Sequence, residues 1–398
     1  MTEIVVGDAR VMFGDCRDVL KTLADCSVDS VVTDPPYELG FMGKKWDSTG
    51  IAYDVTVWAE CLRVLKPGGH VLAFGGSRTF HRMAVAIEDA GFEIRDSIAW
   101  ISSKTFPKSL NVRKAIDKTG VDGSAWEGWG TGLKQVVEPI VMGRKPLVGT
   151  VAANVLEHGV GGLNIDASRV AADMSEFVSA TGKPRSGMGH AHGFAMGDGY
   201  GGENANPPNA LGRWPANVIL DEYSAGLLDE QSGVSKVGGA GRSKDGAGGS
   251  FGGGQNSELN HYGDSGGASR FFYCAKASKR DRNEGLGDLP DNVVGSFFGN
   301  FEVPGNKIGA HPEIPNQPGK NTHPTVKPTT LMRYLIKLVT PPGGTVLDPF
   351  TGSGSTGKAA LLDGYKFVGA ELTEEYLPII EGRLRWAYEQ EADDETLF

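Results

Sequence analysis

The chain has 398 residues, with 39 Lys and Arg against 49 Asp and Glu, a formal net charge of −10, and 58 glycines. An apolar fraction of 39% suits a globular protein with a sizeable core, and excludes a collagen, a coiled-coil rod and a wholly disordered chain. The acidic total argues against a nucleic-acid binder, which ordinarily carries a basic field.

Residues 1–100 alternate between strand and helix signals. Arg10–Gly14 reads as a strand, and Asp18–Leu23 as a helix with Val19, Leu20 and Leu23 on one face. Ser30–Thr33 is a short β-branched run suited to a buried parallel strand. Tyr53–Leu65 has helical spacing and is stopped by Lys66-Pro67-Gly68-Gly69. His70–Phe74 is a strand, Arg78–Ala90 a helix, and Phe92–Ile101 contains a further strand. This alternation predicts an α/β domain with a parallel sheet.

The middle differs. Between 181 and 270, 23 of 90 residues are glycine, and 232–268 reads as flexible loop. Pattern returns at Trp214–Leu220 and Arg270–Ala275. Thr329–Val339 is an amphipathic helix closed by Pro341-Pro342-Gly343-Gly344. Thr345–Asp348 is a strand, Gly352–Gly357 a glycine turn, Lys358–Leu362 the start of a helix, and Lys366–Glu371 the next strand. The economical account is one sheet split between the chain ends: 1–150 one half, 151–322 a glycine-rich insertion, 323–385 the other half, and 386–398 an acidic tail expected to fray.

Charge is uneven along the chain. Residues 101–150 and 269–337 each carry +4, whereas 151–268 carry −6 and 371–398 carry −7. Cys16, Cys26, Cys61 and Cys274 are scattered without a CxxC pair, so neither a disulfide framework nor a zinc site is expected. No stretch approaches the ~20 apolar residues of a membrane span, and the start lacks a signal-peptide pattern. The expectation is a reducing, cytoplasmic protein with no metal and no membrane contact.

Two motifs carry chemistry. The first follows the Thr345–Asp348 strand: Phe350-Thr351-Gly352-Ser353-Gly354, with Glu371 ending the next strand. Glycines let a backbone approach a nucleotide, and an acid there takes both ribose hydroxyls. The second is Asp34-Pro35-Pro36-Tyr37, directly after the Ser30–Thr33 strand. It offers a carboxylate, a carbonyl acceptor and an aromatic face, a set suited to a planar amine.

These residues resemble the β class of DNA amino-methyltransferases. Asp34-Pro35-Pro36-Tyr37 is similar to the catalytic tetrapeptide, Phe350–Gly354 to the S-adenosylmethionine motif, and His323-Pro324-Thr325-Val326-Lys327-Pro328 to the segment before it. Gly14-Asp15-Cys16 and Asp29–Tyr37 follow the family's opening pattern. The likeness covers roughly 10–150 and 320–385. It implies a Rossmann-like, circularly permuted S-adenosylmethionine-dependent methyltransferase fold with an inserted target-recognition region. Its substrate would be double-stranded DNA and, by resemblance alone, its assembly a homodimer.

The resemblance also implies roles. Asp34, Pro35, Pro36 and Tyr37 would be catalytic, with Tyr37 stacking on the target base. Phe350, Gly352 and Gly354 would bound the cofactor, with Asp348, Ser353 and Thr356 of the same loop. Glu371 would bind the ribose, Asp15 and Cys16 would lie near the adenine, and Thr325 and Lys327 near the methionine carboxylate. Asp34 would also reach the cofactor ammonium. DNA contact is expected from the basic stretches, at Lys104, Lys108 and Arg113 and at Lys276, Lys279, Arg280 and Arg282. Trp100, Trp126, Trp129 and Trp214 read as core.

The implied reaction is methyl transfer to the exocyclic N6 of a flipped-out adenine, since Asp begins the tetrapeptide; cytosine N4 is the alternative. An NAD-dependent dehydrogenase would explain the glycine turn but give Asp34–Tyr37 no role. A protein-glutamine or RNA methyltransferase, which usually carries Asn-Pro-Pro-Tyr, and a decayed DNA-binding module are the remaining alternatives.

Overall fold

The computed structural model describes residues 2–39, 45–103, 107, 109–172, 211–236, 265–276, 278–290, 292–293, 302–303, 306–307 and 318–395. Two compact units separate. One is built from Met1–Ser168, Asn217–Ser224 and Cys274–Phe398, the other from Arg169–Ala216 and Ala225–Tyr273.

The strands in chain order are β1 (Glu3–Val6), β2 (Ala9–Phe13), β3 (Val28–Thr33), β4 (Leu65–Phe74), β5 (Glu93–Ile101), β6 (Val137–Arg144), β7 (Val218–Asp221), β8 (Tyr273–Ala275), β9 (Thr345–Asp348) and β10 (Lys366–Glu371). The helices are α1 (Cys16–Lys21), α2 (Val55–Val64), α3 (Phe80–Asp89), α4 (Val112–Asp117), α5 (Val151–His158), α6 (Glu222–Ser232), α7 (Lys279–Asn283), α8 (Thr329–Val339), α9 (Ser355–Leu361) and α10 (Leu377–Glu395).

These ten strands join one sheet, in the order β1-β2-β10-β9-β3-β4-β6-β5-β7-β8, and the remaining described strands, each of two residues, pair off outside it as three two-stranded sheets. Strands β2, β10, β9, β3 and β4 run parallel. The two chain ends thus build one sheet, as the motif order implied. The sheet is not wholly parallel. β1 is antiparallel to β2, and β6 runs antiparallel to both β4 and β5. The sequence reading missed β6 entirely.

The seam between the two ends is β3 against β9. Every residue of β3 is buried, including Asp29, Ser30 and Thr33. Buried polar groups need partners, and these find them across the seam. Asp29 accepts from the Thr345 amide at 2.7 Å, Ser30 and Thr340 hydroxyls meet at 2.8 Å, and Thr33 donates to Asp348 at 2.6 Å. Asp29 also pairs with Lys66 at 2.6 Å.

Local differences from expectation have local causes. Helix α1 starts at Cys16 because the Asp15 side chain caps it, accepting from the Arg17 amide at 2.9 Å. The Lys66–Gly69 stop is part of β4: the chain turns extended at Leu65, and Gly68 takes φ +81°, open to glycine. Helix α10 continues through the acidic run to Glu395. Helix α8 and strands β9 and β10 have the expected ends.

The inserted unit is tied by polar contacts. Val170 bridges Arg213, whose guanidinium donates to the carbonyls of Arg270 and Ala171. Arg213 and Arg270 both lie over the Phe271 ring, at 5.1 and 4.3 Å. Asp229 accepts from the amide and hydroxyl of Ser269. Residues 237–264, the bulk of the expected flexible loop, lie outside the described residues. No helix among the described residues is long and apolar enough to cross a membrane.

Candidate active site at the switch point of the sheet

From β9 the sheet grows outward through β10, and from β3 it grows the opposite way through β4. The loops that follow β9 and β3 therefore part at their carboxyl ends, where parallel sheets open a crevice. Those two loops are Phe350–Gly354 and Asp34–Tyr37.

The first loop is held by its own scaffold. Asp348 is buried, with Oδ1 accepting from Thr33 at 2.6 Å and from the Phe350 amide at 3.0 Å, and Oδ2 accepting from Thr356 at 2.6 Å. Burial nevertheless pushes its carboxyl up to about 6. The side chains of Asp348 and Thr356, two of the expected cofactor residues, brace the turn. Ser353 likewise accepts from buried Arg383 through its carbonyl and hydroxyl, at 2.8 and 3.0 Å. Phe350 packs half-buried against the core.

Gly352 and Gly354 sit at φ +55° and +74°, where a side chain would be strained. A Cβ on Gly352 would also come 3.0 Å from Nε2 of His323. Burial lowers His323 to about 3, so its ring is neutral, and it stands edge-on to Tyr376 at 4.7 Å. Glu371 closes this side. Its Oε2 accepts from the Gly352 amide and its Oε1 from the Thr373 amide, both at 2.7 Å. Burial pushes Glu371 up to about 7.

The Gly14 amide donates to the Glu371 carbonyl at 2.9 Å, which brings Asp15 and Cys16 beside the loop. The Asp15 carboxylate is held below its ordinary range by its hydrogen bonds with Arg17. Cys16, the other residue expected near the adenine, turns its thiol into the core beside the site, and burial pushes it up to about 12. Thr325 is half-buried in the segment leading to Lys327.

The second loop is held by charge. Lys327 is buried, and its ammonium reaches Asp34 Oδ2 at 2.7 Å, the Tyr37 hydroxyl at 3.1 Å and Glu138 Oε2 at 3.3 Å. It lies over the Phe74 and Tyr37 rings at 4.9 and 5.3 Å. Tyr37 donates to Glu138 at 2.7 Å, and Thr79 donates to the Tyr37 carbonyl at 2.8 Å. Asp34 Oδ1 is buried and has no hydrogen-bond partner among the described residues. Burial raises the Asp34 carboxyl against the pull of Lys327. Burial works to lower Lys327, but Asp34 and Glu138 outweigh it and hold the ammonium above its ordinary value. Burial, then the two carboxylates, push the Tyr37 phenol far up, so it stays a donor.

The expected DNA residues divide. Lys104, Lys108 and the Lys279 side chain lie outside the described residues. Arg113 is exposed on α4 but paired with Glu127 and, at 3.6 Å, Asp117. Lys276 is exposed, and Arg280 is exposed beside Glu284 at 3.1 Å. Arg282 is a correction: its guanidinium is half-buried and donates to the carbonyls of Asn321 and His323, so it ties α7 to the site's own approach segment. Three tryptophans also correct the reading. Trp100 is core, but Trp126, Trp129 and Trp214 are 44%, 59% and 65% exposed.

The sequence profile of a family described as DNA methylase (N6/N4) matches residues 28–172 and 255–382. The chain belongs to this family. It is 33% identical over 116 residues to the type II methyltransferase M.HindIII of Haemophilus influenzae, covering 28% of this chain and 38% of that relative. It is 42% identical over 72 residues to the DNA adenine methyltransferase YhdJ of Escherichia coli, covering 18% and 24%. The matched stretch is thus well under half the length of either relative. Among solved structures, the M1.HpyAVI–SAM complex aligns over 94% of this chain and 98% of that one, at 15% identity and a TM-score of 0.40. The PvuII DNA methyltransferase, described as cytosine-N4-specific, aligns over 98% and 92%, at 12% identity and a TM-score of 0.44.

Sequence reasoning missed Glu138. The available signal was the apolar run Ile140-Val141-Met142 that follows it, which forms the centre of β6.

Proposed function

We propose that this protein is a site-specific DNA methyltransferase that moves the methyl group of S-adenosylmethionine to the exocyclic N6 of a flipped-out adenine. The observation that carries this reading is Asp34 Oδ1, a buried acceptor without a donor, beside a loop of the cofactor type. Leaving such a group unpaired costs about 1–3 kcal/mol, which a ligand's N–H would recover.

The residues present fit the cofactor. Gly352 and Gly354 keep the turn bare of side chains, Glu371 offers a carboxylate to the ribose hydroxyls, and the Thr325–Lys327 segment reaches the same crevice. When bound, S-adenosylmethionine supplies an electrophilic methyl group on a sulfonium. The chain's residues do the rest. An exocyclic amine is a poor nucleophile because its lone pair is delocalised into the ring. Asp34 Oδ1 accepts one of its hydrogens and the Pro35 carbonyl the other, which draws the nitrogen towards a tetrahedral shape and frees the pair. As the nitrogen gains its methyl it becomes cationic, and its surplus proton passes to Asp34. Such positioned acceptors lower the barrier by electrostatics and proximity.

An amine in a duplex cannot reach the crevice, so the base must leave the stack, at a cost of a few kcal/mol. Stacking on Tyr37 offsets about 1–3 kcal/mol of that. Lys276, Arg280 and Arg113 are the exposed cations offered to phosphates. Asp at position 34 and the likeness to YhdJ favour adenine over cytosine N4. Family membership leaves the dehydrogenase reading without support.

The test is nucleoside analysis by mass spectrometry of duplex DNA incubated with the protein and S-adenosylmethionine. N6-methyldeoxyadenosine is expected. N4-methyldeoxycytidine would move the reading to the cytosine alternative, and no methylated nucleoside would refute it.

A further inference from the structure

Glu138 lies on β6, about a hundred residues from both Asp34 and Tyr37 in sequence, yet its Oε2 receives the Tyr37 hydroxyl and the Lys327 ammonium together. A lysine ammonium has three N–H donors. Here it faces three acceptors: Asp34 Oδ2, the Tyr37 oxygen and Glu138 Oε2. Tyr37 has one O–H, and it is given to Glu138. Donation runs from Lys327 to Tyr37 and from Tyr37 to Glu138, and Asp34 Oδ1 receives none of it.

Tyr37 is held at two points: Glu138 accepts from its hydroxyl and Thr79 donates to its carbonyl. Two carboxylates against one ammonium leave a surplus negative charge where a cationic nitrogen develops during transfer.

We propose that Glu138 is a positioning residue for methyl transfer: it anchors the Tyr37 hydroxyl and shares the Lys327 ammonium, so that Lys327 engages Asp34 through Oδ2 alone and leaves Oδ1 to the incoming amine. Without the Glu138 charge, the ammonium turns wholly to Asp34 and competes with the amine for both oxygens. The inference rests on the methyl-transfer reading.

The experiment uses full-length protein, duplex DNA and labelled S-adenosylmethionine. It measures single-turnover transfer, cofactor Kd and Tm for wild type, Glu138→Gln, Tyr37→Phe and the double variant. Glu138→Gln is expected to slow transfer by about tenfold or more, on the scale of losing one aligned electrostatic contact, with cofactor Kd and Tm near wild type. The double variant is expected to be no slower than the slower single variant, because the two side chains act as one unit. Wild-type speed in Glu138→Gln overturns the proposal, as does strict additivity of the two changes. A parallel loss of Tm and cofactor binding would make Glu138 merely structural and also overturns it. If wild type itself transfers no methyl, it is the functional reading that fails.

Discussion

The two loops that meet at the switch point are fastened by different means. Phe350–Gly354 is held by a lattice of hydroxyls and amides around the Asp348 and Glu371 carboxyls, with the buried Arg383 guanidinium behind it. Asp34–Tyr37 is held by an ammonium between two carboxylates, with one oxygen unpaired. The difference suits the work each would do. A lattice whose carboxyl oxygens all accept hydrogen bonds can receive a cofactor without rearranging. A charged cluster with one acceptor unpaired is poised to change partners when the amine arrives.

The comparison is broken most severely by removing the cation. Lys327→Met leaves Asp34 and Glu138 facing each other without compensation. Truncating one partner of a buried pair costs about 3–5 kcal/mol, so denaturant unfolding should show a loss of that order. An unchanged midpoint would mean that charge does not hold the second loop.

Next is Glu371, the carboxyl of the first loop's lattice that faces the cofactor. Its carboxyl is pushed up to about 7, so below that pH it is protonated and can no longer accept from both ribose hydroxyls. Cofactor affinity should therefore rise with pH by about tenfold per unit up to pH 7 and then level. In the free protein the sign is opposite: a raised carboxyl stabilises at low pH, and that contribution is lost as pH rises through about 7. Glu371→Gln should weaken binding about 10–100-fold, the scale of charge-assisted hydrogen bonds, and flatten the pH dependence. Calorimetric titration at pH 5.5 to 8 reads both.

A smaller effect sharpens the same contrast. Thr33→Val removes one hydroxyl from the seam and strips Asp348 of a donor. The expected loss is about 1–3 kcal/mol, seen as a lower Tm, with methyl transfer by the folded protein little changed. Smallest is the pair of basic variants. Lys276→Ala should reduce the salt slope of DNA binding by about 0.9, one phosphate contact. Arg282→Ala should leave that slope unchanged and lower stability, because its guanidinium serves carbonyls inside the fold.

Legibility in the sequence tracked how local the signal was. β9, β10 and α8 were readable to the residue, because glycines and prolines punctuate that stretch, at Pro341–Gly344, Pro349 and Gly364. β6 was not, because Val137-Glu138-Pro139 looks like a loop. A proline is poorly tolerated within a sheet, yet Pro139 sits just past Phe74, the last residue of β4, where β4 no longer pairs with β6. Missing β6 meant missing Glu138, the second carboxylate on Lys327. The acidic total misled for a related reason: a global sum hides where the charges lie. The motifs named Asp34 and Lys327, but only the fold shows them to be partners.

The most direct test of the central claim is single-turnover transfer of labelled methyl from S-adenosylmethionine to duplex DNA by Asp34→Ala, measured beside its cofactor Kd. The account predicts no detectable transfer, with cofactor binding still measurable. Transfer at the wild-type rate would contradict it.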